Sequence, residues 1–107
     1  MKNLEYTLTV GLFDKLTEKQ EIATEAATEM LSSILIDDFE ICAFTMIECS
    51  GVYKMESTGR IVREPAIRIE IVTDDEIAIN DIIAAVKTAL NQETVMIKKA
   101  IVDVDFI

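Results

Sequence analysis

All three arginines of the chain, Arg60, Arg63 and Arg68, fall within nine residues, and Lys54 lies just upstream of them. A guanidinium is a planar, permanently charged fork that matches the oxygens of carboxylates and phosphates. This segment is therefore a locally basic patch on an acidic chain. It predicts an anion pocket on or beside the hairpin, with Tyr53 as a lining residue. The competing reading is that the arginines pair with Glu56, Glu64 and Glu70 and guard a sheet edge against aggregation. A second polar run, Asn91, Gln92, Glu93 and Thr94, either reads a ligand or caps a helix and turns the chain.

The absence of histidine narrows the chemistry more than any motif does. Ser-His-Asp and Cys-His catalysis cannot arise within this chain, and a general acid or base must be a carboxylate, Lys, Tyr or Cys. Asp37-Asp38 and Asp74-Asp75-Glu76 lack the converging oxygens and turn glycine of a hard-cation loop, and Asp103 with Asp105 reads as solvated charge. Two cysteines without histidine do not make a structural zinc site, so no metal and no cofactor is expected. There is no glycine-rich phosphate loop either, with only three glycines in the chain.

The elements that must position these residues follow from apolar periodicity. Leu4, Tyr6, Leu8, Val10 and Leu12 alternate with polar residues and Gly11, which predicts a half-buried strand with Tyr6 in the core. Ala23, Ala26, Ala27, Met30, Leu31, Ile34 and Leu35 hold helical spacing, and that helix should stop near Asp37. Residues 39–53 are rich in β-formers and predict a long strand, with a bulge at Gly51. After a turn at 55–59, a second strand should span 61–72, with Pro65 at an edge or a strand start. Thr73 to Glu76 has capping-box spacing and predicts the start of a helix whose apolar stripe is Ile79, Ile82, Ile83, Val86 and Leu90. A last strand should span 94–106.

This order is β-α-β-β-α-β. It predicts one α+β domain over residues 1–107, ferredoxin-like, with a four-stranded antiparallel sheet and two helices on one face. The other face begins uncovered, and residues 41–47 are apolar or small at nearly every position. A strand apolar on both sides is usually covered on both sides. A homodimer through the open sheet face is the expected cover.

Acidic residues outnumber basic ones 20 to 10, for a formal charge of −10. That balance argues against direct binding to nucleic acid or an anionic membrane. Residues 1–12 lack the basic, continuously apolar start of a secretory signal, and no apolar run is long enough to cross a bilayer. Cys42 and Cys49, seven apart in the expected strand, would face opposite ways and stay unpaired, at least one of them buried. A cytoplasmic location is expected.

Three separated motifs occur in order: Gly51-Val-Tyr53, then Gly59-Arg-Ile-Val-Arg-Glu64-Pro65, then Asn91-Gln92-Glu93-Thr94-Val95. With an early strand ending in Gly11-Leu12, the chain resembles domain-of-unknown-function family 3574, a group of small bacterial and phage proteins. Thr94 stands where that family usually has Ser, and Tyr53 where many members have Trp. The resemblance implies a compact α+β domain and supplies no activity. It adds weight to the hairpin and to Gln92-Glu93.

Taken together, the candidate binding residues are Tyr53, Arg60, Arg63, Glu64, Arg68, Gln92 and Glu93. The leading expectation is a non-enzymatic binding domain, such as a phage- or bacteria-encoded inhibitor or sequestering protein for an anionic small molecule or a host protein. One alternative is an acidic mimic of nucleic acid that occupies a basic site on a host enzyme. The other is a small enzyme that uses Glu64 or Glu93 as a carboxylate base, with Arg63 holding the substrate.

Overall fold

The computed structural model describes residues 2–107. Strand β1 (Lys2–Gly11) leads to helix α1 (Thr24–Ser33), which runs on into a π-helical turn over Ile34–Asp38. Strands β2 (Thr45–Lys54) and β3 (Ile61–Thr73) form the hairpin. Helix α2 (Ile79–Ala89) and strand β4 (Met96–Asp103) complete the chain. The four strands make one antiparallel sheet in the order β2-β3-β1-β4. This is the expected α+β arrangement.

The period-two pattern sets which face is covered. Tyr6, Leu8 and Val10 of β1 pair with Ile71, Ile69 and Ile67 of β3, and all six are buried. Ala27 and Leu31 of α1 and Ile82 and Val86 of α2 close over that face. A one-residue slip of either strand would turn this whole set toward solvent. Ala23 and Ala26, which fit the helical spacing, are exposed instead. Ala23 stands before the first turn of α1 as its N-cap, where the chain has not yet met the sheet.

Three local expectations are corrected. The strand expected from residue 39 begins only at Thr45. Glu40 adopts a left-handed φ of 56°, and the Ile41 N–H donates back to the Leu35 carbonyl at 2.8 Å, so residues 40–44 close the helix rather than extend the sheet. Cys42 therefore sits exposed in that connection and Cys49 half-buried in β2, so neither is the buried thiol that was expected. Much of the two-sided apolar run also lies outside the sheet, where Ile41 and Phe44 pack against the core edge.

Second, Thr73 to Glu76 does not open α2. Thr73 ends β3, and α2 starts at Ile79 with no side-chain cap. The Thr73 hydroxyl accepts from the Asp75 N–H at 3.2 Å, while Glu76 bonds Lys99 of β4 at 2.9 Å. The carboxylate that would complete a capping box is thus engaged across the fold. Third, Gly51 marks no bulge, because β2 and β3 hold one unbroken register from Thr45↔Glu70 to Lys54↔Ile61. Pro65 falls just beyond Ala66, the last β3 residue paired with β1, so its missing N–H interrupts no β1 bond.

Candidate active site

Beyond the end of β1, the β2–β3 hairpin projects past the rest of the sheet. The loop over residues 12–20 folds back against it. Phe13 bridges to Gln20, and the Asp14 side chain accepts from the Leu16 N–H at 2.8 Å. Together with the α2–β4 connection these segments enclose a cleft of about 750 Å³. That is within the usual size of a small-molecule site.

Six of the seven sequence-predicted residues, Tyr53, Arg60, Arg63, Glu64, Gln92 and Glu93, line this cleft. Arg68 does not. It lies farther along β3 and pairs with Glu70 at 3.5 Å, one of the ion pairs foreseen for the cluster, but β3 is an interior strand and the pair guards no sheet edge. Among the described residues Arg60 and Arg63 form no ion pair with a carboxylate. The loop residues Asp14, Lys15 and Glu18 also line the cleft. The site is therefore mixed in charge, with four carboxylates facing three cations, rather than the basic pocket expected from the hairpin alone.

Glu64 is the most tightly placed of these groups. It pairs with Gly51 across the hairpin, on the sheet face that carries no helices. One carboxylate oxygen accepts the Phe13 N–H at 3.0 Å. Gly11 of β1 provides the room: a Cβ there would stand 2.7 Å from the Glu64 carboxylate carbon and collide with its oxygens. A Cβ on Gly51 would meet only the Glu64 Cγ at an ordinary 3.7 Å. Gly11 is thus explained by a close approach, which alternation of apolar residues along β1 cannot reveal.

Tyr53 lies two residues from Gly51 on the same face and is half-exposed. Burial of its phenol raises its pKa above the usual 10.0, and the negative charges of Glu64 and Glu18 push the same way against Arg60. The phenol is therefore a neutral hydrogen-bonding group at physiological pH.

The Asn91–Gln92 step ends the helix, and its side chains also brace the loop over residues 13–20. Asn91 takes a left-handed φ of 47°. Its N–H reaches the Thr88 carbonyl at 3.4 Å and the Gln92 N–H reaches the Lys87 carbonyl at 2.9 Å, which is the Schellman ending of a helix. The side chains then turn toward the cleft. Asn91 Nδ2 donates to Asp14 Oδ2 at 2.9 Å, and this bond leads the causes that lower the Asp14 pKa. Gln92 Nε2 donates to the Phe13 carbonyl at 2.7 Å. The sequence offered no sign that residues 13–18 belong to the site, since a polar loop looks the same whether or not it folds over a cleft.

No family model matches the chain, and no curated protein matches it; the resemblance to family 3574 rests on its motifs. Solved structures share the fold, among them two of a phage SAM lyase. One is a phage SAM lyase in complex with S-methyl-5′-thioadenosine, with a TM-score of 0.66 at 13% identity over 92% of this chain and 80% of that one. The other is a phage SAM lyase in the apo state, with a TM-score of 0.64 at 17% identity over 94% and 81%. This finding overturns the expectation of a non-enzymatic inhibitor or sequestering domain: both of these neighbours, which share the fold over nearly the whole chain, are a phage enzyme, one of them with a small molecule bound. At the cleft the carboxylates are interleaved with cations, so this part of the surface is not the array of carboxylates that a nucleic-acid mimic predicts.

Proposed function

We propose that this chain is a lyase acting on S-adenosylmethionine and releasing S-methyl-5′-thioadenosine. The observation that carries the reading is the coincidence of two things. The fold matches a SAM lyase, and a large cleft holds an anchored carboxylate, a neutral phenol and two arginines without ion pairs.

The substrate class suits that mixture. S-adenosylmethionine carries a sulfonium, an ammonium and a carboxylate beside an adenosine group. Glu64 and Glu93 suit its cationic groups, and Arg60 or Arg63 suits one oxygen of the carboxylate, which leaves the other free to react. Val52, Val62 and Met96 supply apolar lining for the base and sugar. A net charge of −10 favours approach of a cationic substrate.

Release of the thioether requires the bond between sulfur and the methionyl γ-carbon to break, with its electron pair passing to sulfur. The carbon takes a new pair from the substrate's own carboxylate oxygen, which closes a five-membered lactone. Atoms and charge balance without water, metal or a protein base. This suits a chain without histidine. Because an anion and a cation neutralise each other in that step, an apolar wall that excludes water favours it. Holding the reacting carboxylate against the carbon adds the intramolecular advantage.

The test is incubation of the purified protein with S-adenosylmethionine, following S-methyl-5′-thioadenosine by liquid chromatography. Substrate-dependent release that Glu64→Ala reduces at least a hundredfold is expected. No release at micromolar protein would refute the proposal.

A further inference from the structure

We infer that Gln92 is a positioning residue for Glu64, acting through the backbone of Phe13. The inference rests on the proposed role of the cleft for its effect on rate, but its geometry is independent of that reading. Gln92 does not approach Glu64 in sequence or in the sheet. Its side chain is buried to 8% exposure and spans two connections at once. Nε2 donates to the Phe13 carbonyl at 2.7 Å and to the Leu90 carbonyl at 3.3 Å. The second bond ties the amide to the end of α2, and the first holds residue 13. The N–H of that same residue donates to the Glu64 carboxylate at 3.0 Å.

The neighbouring bonds hold the loop in the same place. The Lys15 N–H donates to the Asn91 carbonyl at 3.0 Å, and the Leu12 N–H donates to the Pro65 carbonyl at 2.9 Å. Between those two points the peptide after Phe13 is held from both sides: the Asp14 N–H donates to the Lys19 carbonyl at 2.8 Å, and the Gln92 amide donates to the Phe13 carbonyl. A buried amide with both hydrogens engaged does not rotate freely, and a buried carbonyl that loses its donor turns to find another. Removing the Gln92 bond leaves the Phe13 carbonyl without its side-chain donor and loosens the turn that carries the N–H aimed at Glu64. A helix cap alone would need only the backbone of Gln92, since the Schellman bond uses its N–H and not its side chain.

A double-mutant cycle separates this role from general support. Gln92→Met keeps the side-chain length and removes both donors. It should lower kcat about tenfold, the effect of loosening one hydrogen bond to a charged group, while KM changes little. In a Glu64→Ala background the same substitution should cost nothing further. Losses that multiply instead would overturn the inference. If Gln92→Met fails to fold, Gln92→Asn keeps an amide in the buried site but falls one methylene short of the Phe13 carbonyl, and enters the same cycle. A wild-type protein inactive on S-adenosylmethionine would refute the proposed function and leave this inference to amide hydrogen exchange. There, Gln92→Met and Glu64→Ala should each speed exchange at the Phe13 N–H, and the double variant should go no faster than the faster single one. An unchanged rate at Phe13 in Gln92→Met would overturn the positioning role.

Discussion

Alanine at Gly11 would place one methyl group where the Glu64 carboxylate now lies. The new Cβ would stand 2.7 Å from the carboxylate carbon, closer than real Cβ contacts allow. The obstacle is the end of a flexible side chain, so Glu64 rotates away and the backbone stays. Two effects on stability oppose each other. Loss of the charge-assisted bond from the Phe13 N–H costs about 1.5–3 kcal/mol. Replacing a strand glycine by alanine returns about 0.5–1 kcal/mol. The net loss is about 1.5 kcal/mol, or roughly 6–12 °C in Tm for a domain near this size. The loss of rate should be far larger, because displacing a site group by about 1 Å can cost on the order of a hundredfold. The paired control is Gly51→Ala, whose Cβ would meet Glu64 only at 3.7 Å and should leave the rate near wild type. Initial rates of S-methyl-5′-thioadenosine release and melting curves on both variants make the assay. If Gly11→Ala keeps the full rate, or Gly51→Ala loses as much, the placement of Glu64 over Gly11 does not matter to the chemistry.

Arg60→Ala and Arg63→Ala should each weaken substrate binding, whereas Arg68→Ala, paired with Glu70 outside the cleft, should leave kcat/KM unchanged. The Tyr53 phenol, with its pKa raised above 10.0, should resist ionisation in an alkaline ultraviolet titration longer than Tyr in the unfolded chain. Its preference for the neutral form favours the fold below the unfolded pKa, and that preference is lost as pH rises through the folded value. Asp14 behaves oppositely: its lowered pKa favours the fold above the unfolded value of about 3.8, and this is lost as pH falls through the folded pKa. Asn91→Ala removes the largest cause and should move the Asp14 titration, followed by NMR, upward. Leu31→Ala, at a fully buried position, should destabilise by about 2–5 kcal/mol in denaturant melts.

The sheet and both helices were legible because their core depends on periodicity alone. Tyr6, Leu8 and Val10 repeat every second residue, and Ile82, Val86 and Leu90 follow helical spacing, so each element announces its buried face. Connections carry no such pattern. The stretch after Asp38 is rich in β-formers, yet the left-handed turn at Glu40 keeps it out of the sheet. Likewise the capping-box spacing at Thr73 lost to sheet pairing, because Thr73 still pairs with Leu4 at the end of β3. Propensity fixes what a segment prefers in isolation, and a neighbour brought in by topology can outbid it.

The candidate site was half legible for a related reason. The hairpin and the Asn91–Gln92 step stood out because their residue types are unusual for their surroundings: every arginine of the chain in one place, and two amides at a helix end. The residues that join them were invisible, since Gly11, Phe13 and Asp14 look like the end of a strand and a plain loop. Their importance lies in contacts spanning 51 and 79 residues of chain, from Phe13 to Glu64 and to Gln92. Only the ferredoxin-like topology brings these points together, because β1 pairs with β3 and β4 and so ends beside both the hairpin base and the α2–β4 connection. The separated motifs at 51–53, 59–65 and 91–95 thus share a physical explanation. Each supplies one wall of the cleft, and the Phe13 backbone links the second wall to the third.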